Sequence, residues 1–450
     1  MASTKLTRTQ STGNRTTFTW SGWVKRSITG GTQNLVKCGT SNDFRTMIRF
    51  DNSNEIRFFN NDSTGTGVNM DIITNRQFRD INAWYHIVLR FDTTQATASD
   101  RIRFYVNGVQ ETSLGTSTYP SQNADNTQFN YNGITLAIGG NPYSNIEYFD
   151  GSMSHIHFCD GYSYDATAFG QYDANGVWTI KTSPSVTYGT NGFFILKDGN
   201  SVTDQSGEGN NFTVGGGTLT NTEDCPSNVF ATLNPLDGVI SLGNSTFTYG
   251  NTRFNSETAS NVTYATSTLG MVLGKFYFEA KLETAASHNY IGISDRPNPS
   301  LSGSYFGDDA YTYGYKSSNG QKKNNGSSSA YGDTYTTNDI VMCAVDLDNL
   351  KVYFGKNGTW QNSGDPTSGS TGTGAAFTIT TPSSTTYGQY FFCVADGTDA
   401  NNSRWQTNFG NGYFGTTAVS DAGINASGIG IFEFDVPTGY TSLSTKGLNL

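Results

Sequence analysis

Apolar and polar positions alternate most clearly between residues 338 and 360, NDIVMCAVDLDNLKVYFGKNGTW. Residues 340–347 form an almost unbroken apolar run, short and rich in β-formers, which predicts a strand covered on both faces. Asp346, Asp348 and Asn349 bring turn chemistry, since short polar side chains bond their own backbone and tolerate left-handed conformations. Leu350, Val352 and Phe354 then alternate with Lys351 and Tyr353, the period of a strand, and Asn357-Gly358 suits a tight hairpin because both residues accept positive φ. The stretch predicts a β-meander.

The same grammar occurs in residues 82–108, where WYHIVLRFD and IRFYV end at Asn107-Gly108. Earlier, Phe18, Trp20 and Gly22 fall on one face of a first strand. Further strands are expected around residues 34–38, 46–50, 55–59, 69–73, 134–138 and 152–158, with a late returning strand at 191–196. No long stretch has helical periodicity. Many short antiparallel strands predict an all-β chain of two antiparallel β-sandwich (jelly-roll) domains in tandem with a C-terminal extension. Turn-rich text with GGG at 215–217, Pro226 and Pro235 suggests the boundary. The expected division is an N-terminal arm (1–17), a first sandwich (18–197), a connector (198–237), a second sandwich (238–410) and a tail (411–450). The Gly/Ser/Thr-rich loop 363–375 reads as mobile, and 429–436 as a strand within the tail.

Composition supports this picture. Charged residues are only 14% of the 450, against 52 Gly, 29 Phe and 25 Tyr, a profile of short strands and tight turns rather than helices. The net charge of −10 argues against a nucleic-acid-binding surface, which needs clustered cations. No window is long and apolar enough for membrane insertion, and the first residues, MASTKLTRTQ, show no secretory h-region. Five scattered cysteines without CxxC spacing predict free thiols and assembly in a reducing cytoplasm.

The two strand sets also carry a family resemblance. AWYHIVLRFD with RIRFYVNG resembles the laminin-G-like (concanavalin-A-like) jelly roll, and GKFYFEAKLE, YIGISD and the 338–360 meander resemble a SPRY domain. The joining segments 149–178, 204–214 (DQSGEGNNFTV) and 224–236 (DCPSNVFATLNPL), with WQTNFGNGYF and VPTGYTSLSTKGLNL near the end, are similar to virion proteins of marine tailed phages, of the cyanophage and pelagiphage kind. That resemblance implies a tail fibre, tail-associated adhesin or capsid decoration protein, located in the virion and assembled in the host cytoplasm.

Candidate chemistry is sparse. A retaining glycosidase needs two carboxyls about 5 Å apart. The nearest patterns are Glu433-Phe434-Asp435, which lacks a further Glu, and Glu279 with Glu283, read as solvent-facing. His155, His157 and Cys159 share one strand face and could approach zinc, but a fourth ligand is missing, and an outward face opposite core Ile156 and Phe158 is the simpler explanation. Asp150, Asp160 and Asp165 match no calcium-loop spacing. Neither a phosphate loop nor a nucleophile elbow occurs. The expectation is a non-enzyme with no cofactor and no metal site. Binding is left to the loops: Tyr143 and Tyr148 in NPYSNIEY, and Tyr305, Phe306, Tyr311 and Tyr313 in the second sandwich, are candidate ligand contacts because tyrosines offer flat apolar area with a polar tip. Core cover or a neighbouring subunit would explain the same residues. Expected partners are other virion proteins, further copies of the chain (a trimer, by resemblance to phage fibres) and a host-surface glycan or receptor. A decoration protein contacting neighbouring subunits and a virion-borne polysaccharide hydrolase are the alternatives.

Overall fold

A computed structural model describes residues 3–62, 69–197, 201–236, 245–256, 263–295, 306–397 and 402–449. The chain divides into two units, residues 1–221 and 222–450. Both are built from antiparallel sheets, and the helices among the described residues are short 3-10 turns.

In the first unit an eight-stranded sheet faces a six-stranded one. The central strand of the smaller sheet is Thr17–Arg26, flanked by Gly151–Asp160 and Trp84–Asp92. Its inner positions Phe18, Trp20 and Val24 are fully buried with Phe50, Phe58, Ile87, Leu89 and Phe91. Gly22 is required by this packing, because a Cβ there would lie 2.9 Å from the Trp20 indole and 2.7 Å from Ile156. The expected late strand is present as Phe193–Ile195, paired with Gly151–Asp160. Asn107 and Gly108 take φ of 48° and 84°, and Asn357 and Gly358 take 47° and 84°, so both expected Asn-Gly hairpins adopt one geometry.

The N-terminal segment is not an arm. Leu6–Thr9 is a strand of the large sheet between Thr135–Ile138 and Thr213–Val214, with Leu6 in the core. One large apolar residue in a four-residue strand leaves too little pattern to read, and the open edge of Thr135–Ile138 supplies the reason to pair. The expected connector is also divided: Phe212 packs in the first core, whereas Ala231 and Leu233 pack in the second.

In the second unit the meander runs Ile340–Asp346, Lys351–Lys356 and Thr359–Trp360, with Asp346 accepting from the backbone N–H of Asn349 at 2.8 Å. It lies in a nine-stranded sheet facing a six-stranded sheet centred on Asn289–Ser294. Loop 363–375 is held rather than loose: Tyr440 Oη donates to the Pro366 carbonyl at 3.0 Å, and Asp365 caps a 3-10 turn, Pro366–Thr371.

The tail closes the second unit. Residues 429–436 form no strand; instead Phe432, Val436 and Tyr440 cover the outer face of the nine-stranded sheet at Tyr277, Met342, Ala344 and Tyr353. Thr441–Ser442 pairs in parallel with Phe276 and Tyr277, and Leu443 enters the inner core. Phe432→Ala is expected to cost about 3–5 kcal/mol in urea unfolding of the second unit. Ile424→Ala, at a position 74% exposed, should stay within about 0.5 kcal/mol. A chain ending at Gly410 should lose the cooperative transition of the second unit and keep that of the first, as read by calorimetry.

Candidate functional site

The loop 141–148 joins Thr135–Ile138 to Gly151–Asp160. It leaves the sheet through Gly140, where a Cβ would sit 3.0 Å from Lys5 and 3.2 Å from the Tyr148 ring. The loop is fastened by Glu147, held at φ 60°. Its carboxylate accepts from Lys37 Nζ at 2.7 Å, Asn34 Nδ2 at 2.9 Å and Asn141 Nδ2 at 3.2 Å, with Arg49 at 4.0 Å. Burial alone would raise its pKa. The hydrogen bonds from Lys37 and Asn34 and the charges of Lys37 and Arg49 outweigh burial and hold the carboxyl below the usual Glu range. Lys37 is fully buried, and Lys5 Nζ ties the loop's start through the Asn141 carbonyl at 2.8 Å.

On this scaffold Tyr143 and Tyr148 are half-buried. Tyr143 Oη donates to Asn42 Oδ1 at 3.1 Å and its ring lies 4.8 Å from Lys37 Nζ; Tyr148 Oη donates to Asn145 Oδ1 at 3.2 Å. Ile146 between them is 56% exposed. The loop thus presents two partly open aromatic faces on a backbone fixed by a part-buried ion pair. The anchor Glu147 escaped the sequence reading, because one acid among Asn and Ser residues says nothing of the cations that will face it.

The described members of the second set of candidates do not form a surface. Tyr305 lies outside the described residues. Phe306 is fully buried against Tyr264 and Tyr290, with Gly314 making room for its ring. Tyr313 is core as well: its ring packs on Phe377 and its hydroxyl bonds Thr380. Both expectations are corrected, since β alternation and a facing glycine turn these rings inward. Tyr311 is half-buried against the same core. Lys322 and Lys323 are both engaged, Lys322 with the Ala376 carbonyl and Lys323 with Asp308.

The histidine face is also structural. Ile156 and Phe158 point into the core, and His157 and Cys159 point outward, where residues 164–188 cover them with Phe169 and Tyr188 beside Phe194 of the adjoining edge strand. A bulge with His155 at φ 50° breaks the strand alternation, and His157 Nδ1 bonds Tyr188 Oη at 3.0 Å. Burial lowers the His157 pKa and raises that of Cys159. Beneath Trp178, buried His86 lies 2.9 Å from Ser21 Oγ, a spacing that resembles a nucleophile and its base. Trp178 Nε1, which can only donate, bonds His86 Nδ1 at 3.0 Å, so the proton sits on Nε2 and His86 donates to Ser21. Burial pushes its pKa down to about 3. The pair cannot activate the serine.

Among the described residues no group of three or more His, Cys, Asp or Glu side chains could hold a metal ion. Asp160 accepts from the backbone of Asn14 and Asn191 and from Asn130 Nδ2, and Asp165 caps a 3-10 turn. Glu283 forms a bidentate pair with Arg253 at 2.6 and 2.9 Å. Glu279 is not solvent-facing, contrary to expectation: it is fully buried beneath the tail, where no substrate reaches it. A further open groove of about 550 Å³, lined by Thr7, Arg8, Thr9, Thr135, Asn210 and Thr213, lies at the edge of the large sheet.

The sequence profile of the concanavalin A-like lectin/glucanases superfamily matches residues 2–162, and that of the SPRY domain matches residues 275–393. Ran-binding protein 9 of Danio rerio is 32% identical over 95 residues, 21% of this chain and 16% of the relative. Ran-binding protein 10 of Danio rerio matches to the same extent, and human Ran-binding protein 9 is 32% identical over 95 residues, 13% of its length. The chain therefore spans about a sixth or less of these relatives. Among solved structures, the SPRY domain of human HERC1 aligns with a TM-score of 0.28 and 15% identity, covering 35% of this chain and 87% of its own. Stonustoxin aligns with a TM-score of 0.28 and 14% identity, covering 40% and 27%. The chain carries a concanavalin A-like, laminin G-like domain and a SPRY domain in tandem.

Proposed function

We propose that this chain is a non-enzymatic binding subunit of a phage virion, a tail fibre or tail-associated adhesin that contacts a host-surface glycan or protein. The observation that carries the binding part of the reading is the loop 141–148. Glu147 fixes its backbone to Lys37, Asn34 and Asn141, and Tyr143 and Tyr148 remain partly open. A loop already held in place loses little conformational freedom on binding, and tyrosine supplies contact area with few rotatable bonds. The phage assignment rests on the resemblance of segments 149–178, 204–214 and 224–236 to virion proteins. The names of the Ran-binding relatives favour a protein ligand. Several copies on one particle would turn weak loop contacts into avidity, which favours a homo-oligomer, with a trimer the state that resemblance suggests.

Mass spectrometry of purified particles should find the chain as a stoichiometric component; its appearance only in the soluble lysate would reject the virion assignment. Tyr148→Ala should weaken binding of the purified chain to host cells by about tenfold, the loss of one aromatic anchor, without shifting the melting temperature of the first unit. Unchanged binding removes the loop from the interface. Glu147→Gln should destabilise the first unit by about 1–3 kcal/mol, because Lys37 stays buried while its part-exposed anion is lost. The depressed Glu147 pKa also sets a direction. The stability it contributes is present above the usual Glu pKa and is lost as pH falls through the lower folded value, so acid denaturation should be shallower in Glu147→Gln.

A further inference from the structure

Glu279 sits on the outer face of strand Lys275–Thr284 with no exposed surface. Its Oε1 accepts from Tyr277 Oη and from the backbone N–H of Phe434, each at 2.9 Å. Its Oε2 accepts from the backbone N–H of Glu433 at 2.9 Å and from Asn408 Nδ2 at 3.4 Å. Two of the four donors belong to the returning tail, so this carboxyl is the polar fastening between sheet and tail. The same stretch is held by Asn408 Nδ2 on the Ile431 carbonyl at 3.0 Å and by the Phe432 ring, 5.0 Å from that of Tyr277.

We propose that Glu279 is a pH-sensitive latch: the tail segment 419–436 is fastened to the second sandwich while Glu279 is protonated and loosens when it ionises. In the protonated state the Oε1 proton is donated to the Tyr277 oxygen in place of the hydroxyl's own donation, and the remaining lone pairs still receive the N–H groups of Phe434, Glu433 and Asn408. In the ionised state a full charge lies in a closed site where the described residues supply no ion pair. The tail brings two further acids, Glu433 and Asp435, and the neighbouring strands place Met342 and Asn408 opposite it, neither of which titrates. On its own strand the titratable neighbours are Tyr277 and, two residues on, half-buried Lys281. Burial is the largest influence on the group and raises its pKa from 4.5 to about 7 in spite of the four hydrogen bonds. Because the docked value is the higher one, the contribution to docking is complete below pH 4.5 and is lost as pH rises through about 7.

Hydrogen exchange of the full chain, corrected for the intrinsic rate at each pH, tests the latch. Between pH 5.5 and 8.5 the protection of tail amides in 423–436 should fall by about 30-fold, with a midpoint at about pH 6 and a plateau above about 7, whereas protection in Ile340–Asp346 should not change. Glu279→Gln stays neutral throughout and should flatten the dependence. Should that variant not fold, the double variant Glu433→Gln/Asp435→Asn decides, since it keeps the fall and its midpoint if Glu279 is the titrating group. A wild-type tail equally protected at both pH values, a fall that persists in Glu279→Gln, or a fall abolished in the double variant would overturn the proposal.

Discussion

A sheet that is apolar on both faces has to be covered twice, and that constraint shapes both units. In the first, the six-stranded sheet buries Phe18, Trp20 and Phe158 inward and carries Val88, Tyr105 and Cys159 outward. The segment 164–188 wraps over that outer face with Phe169 and Tyr188, beside Phe194 on the sheet's own edge strand. In the second, the nine-stranded sheet sends Phe276, Phe278 and Val345 inward and Tyr277, Met342 and Tyr353 outward, and there the cover is the tail. Each large side chain removed from water in this way contributes about 1.5–3 kcal/mol. The wrapping segments are therefore third layers of the sandwiches rather than spare ends.

Covering a sheet with irregular chain brings backbone N–H groups into dry places, and they need acceptors. Glu279 supplies two of them for the tail, and Asp160 does the same for Asn14 and Asn191 in the first unit. Glu147 works in the opposite sense, neutralising a lysine that the loop itself has buried. The three acids differ in pKa for physical reasons. Burial dominates at Glu279 and Asp160, whereas at Glu147 hydrogen bonds and cations overcome it. Buried acids of this kind hold loops and tails in position, and what remains open for recognition is the outer side of those loops.

Strand periodicity and turn chemistry were legible in the chain alone. The meander of 340–360, the Asn-Gly hairpins, the Phe18/Trp20/Gly22 face and the inward Ile156 and Phe158 all follow from local side-chain preference, because alternation and positive φ are properties of neighbouring residues. The tandem sandwich architecture follows from many such strands. What the linear text could not assign is which surface each segment covers. Leu6–Thr9 looked like an arm because its partner strand Thr135–Ile138 lies more than a hundred residues away. Phe306 and Tyr313 looked like loop aromatics because the pockets that receive them are made by Tyr264, Tyr290, Phe377 and Thr380 from other strands. Glu279 looked solvent-facing because its cover is contributed by residues 433 and 434. Local pattern determined the strands, turns and sandwich class of this protein; burial, pKa and exposure of its candidate residues were decided only by tertiary contacts, since desolvation depends on what is packed nearby in space and not on what is adjacent in the chain.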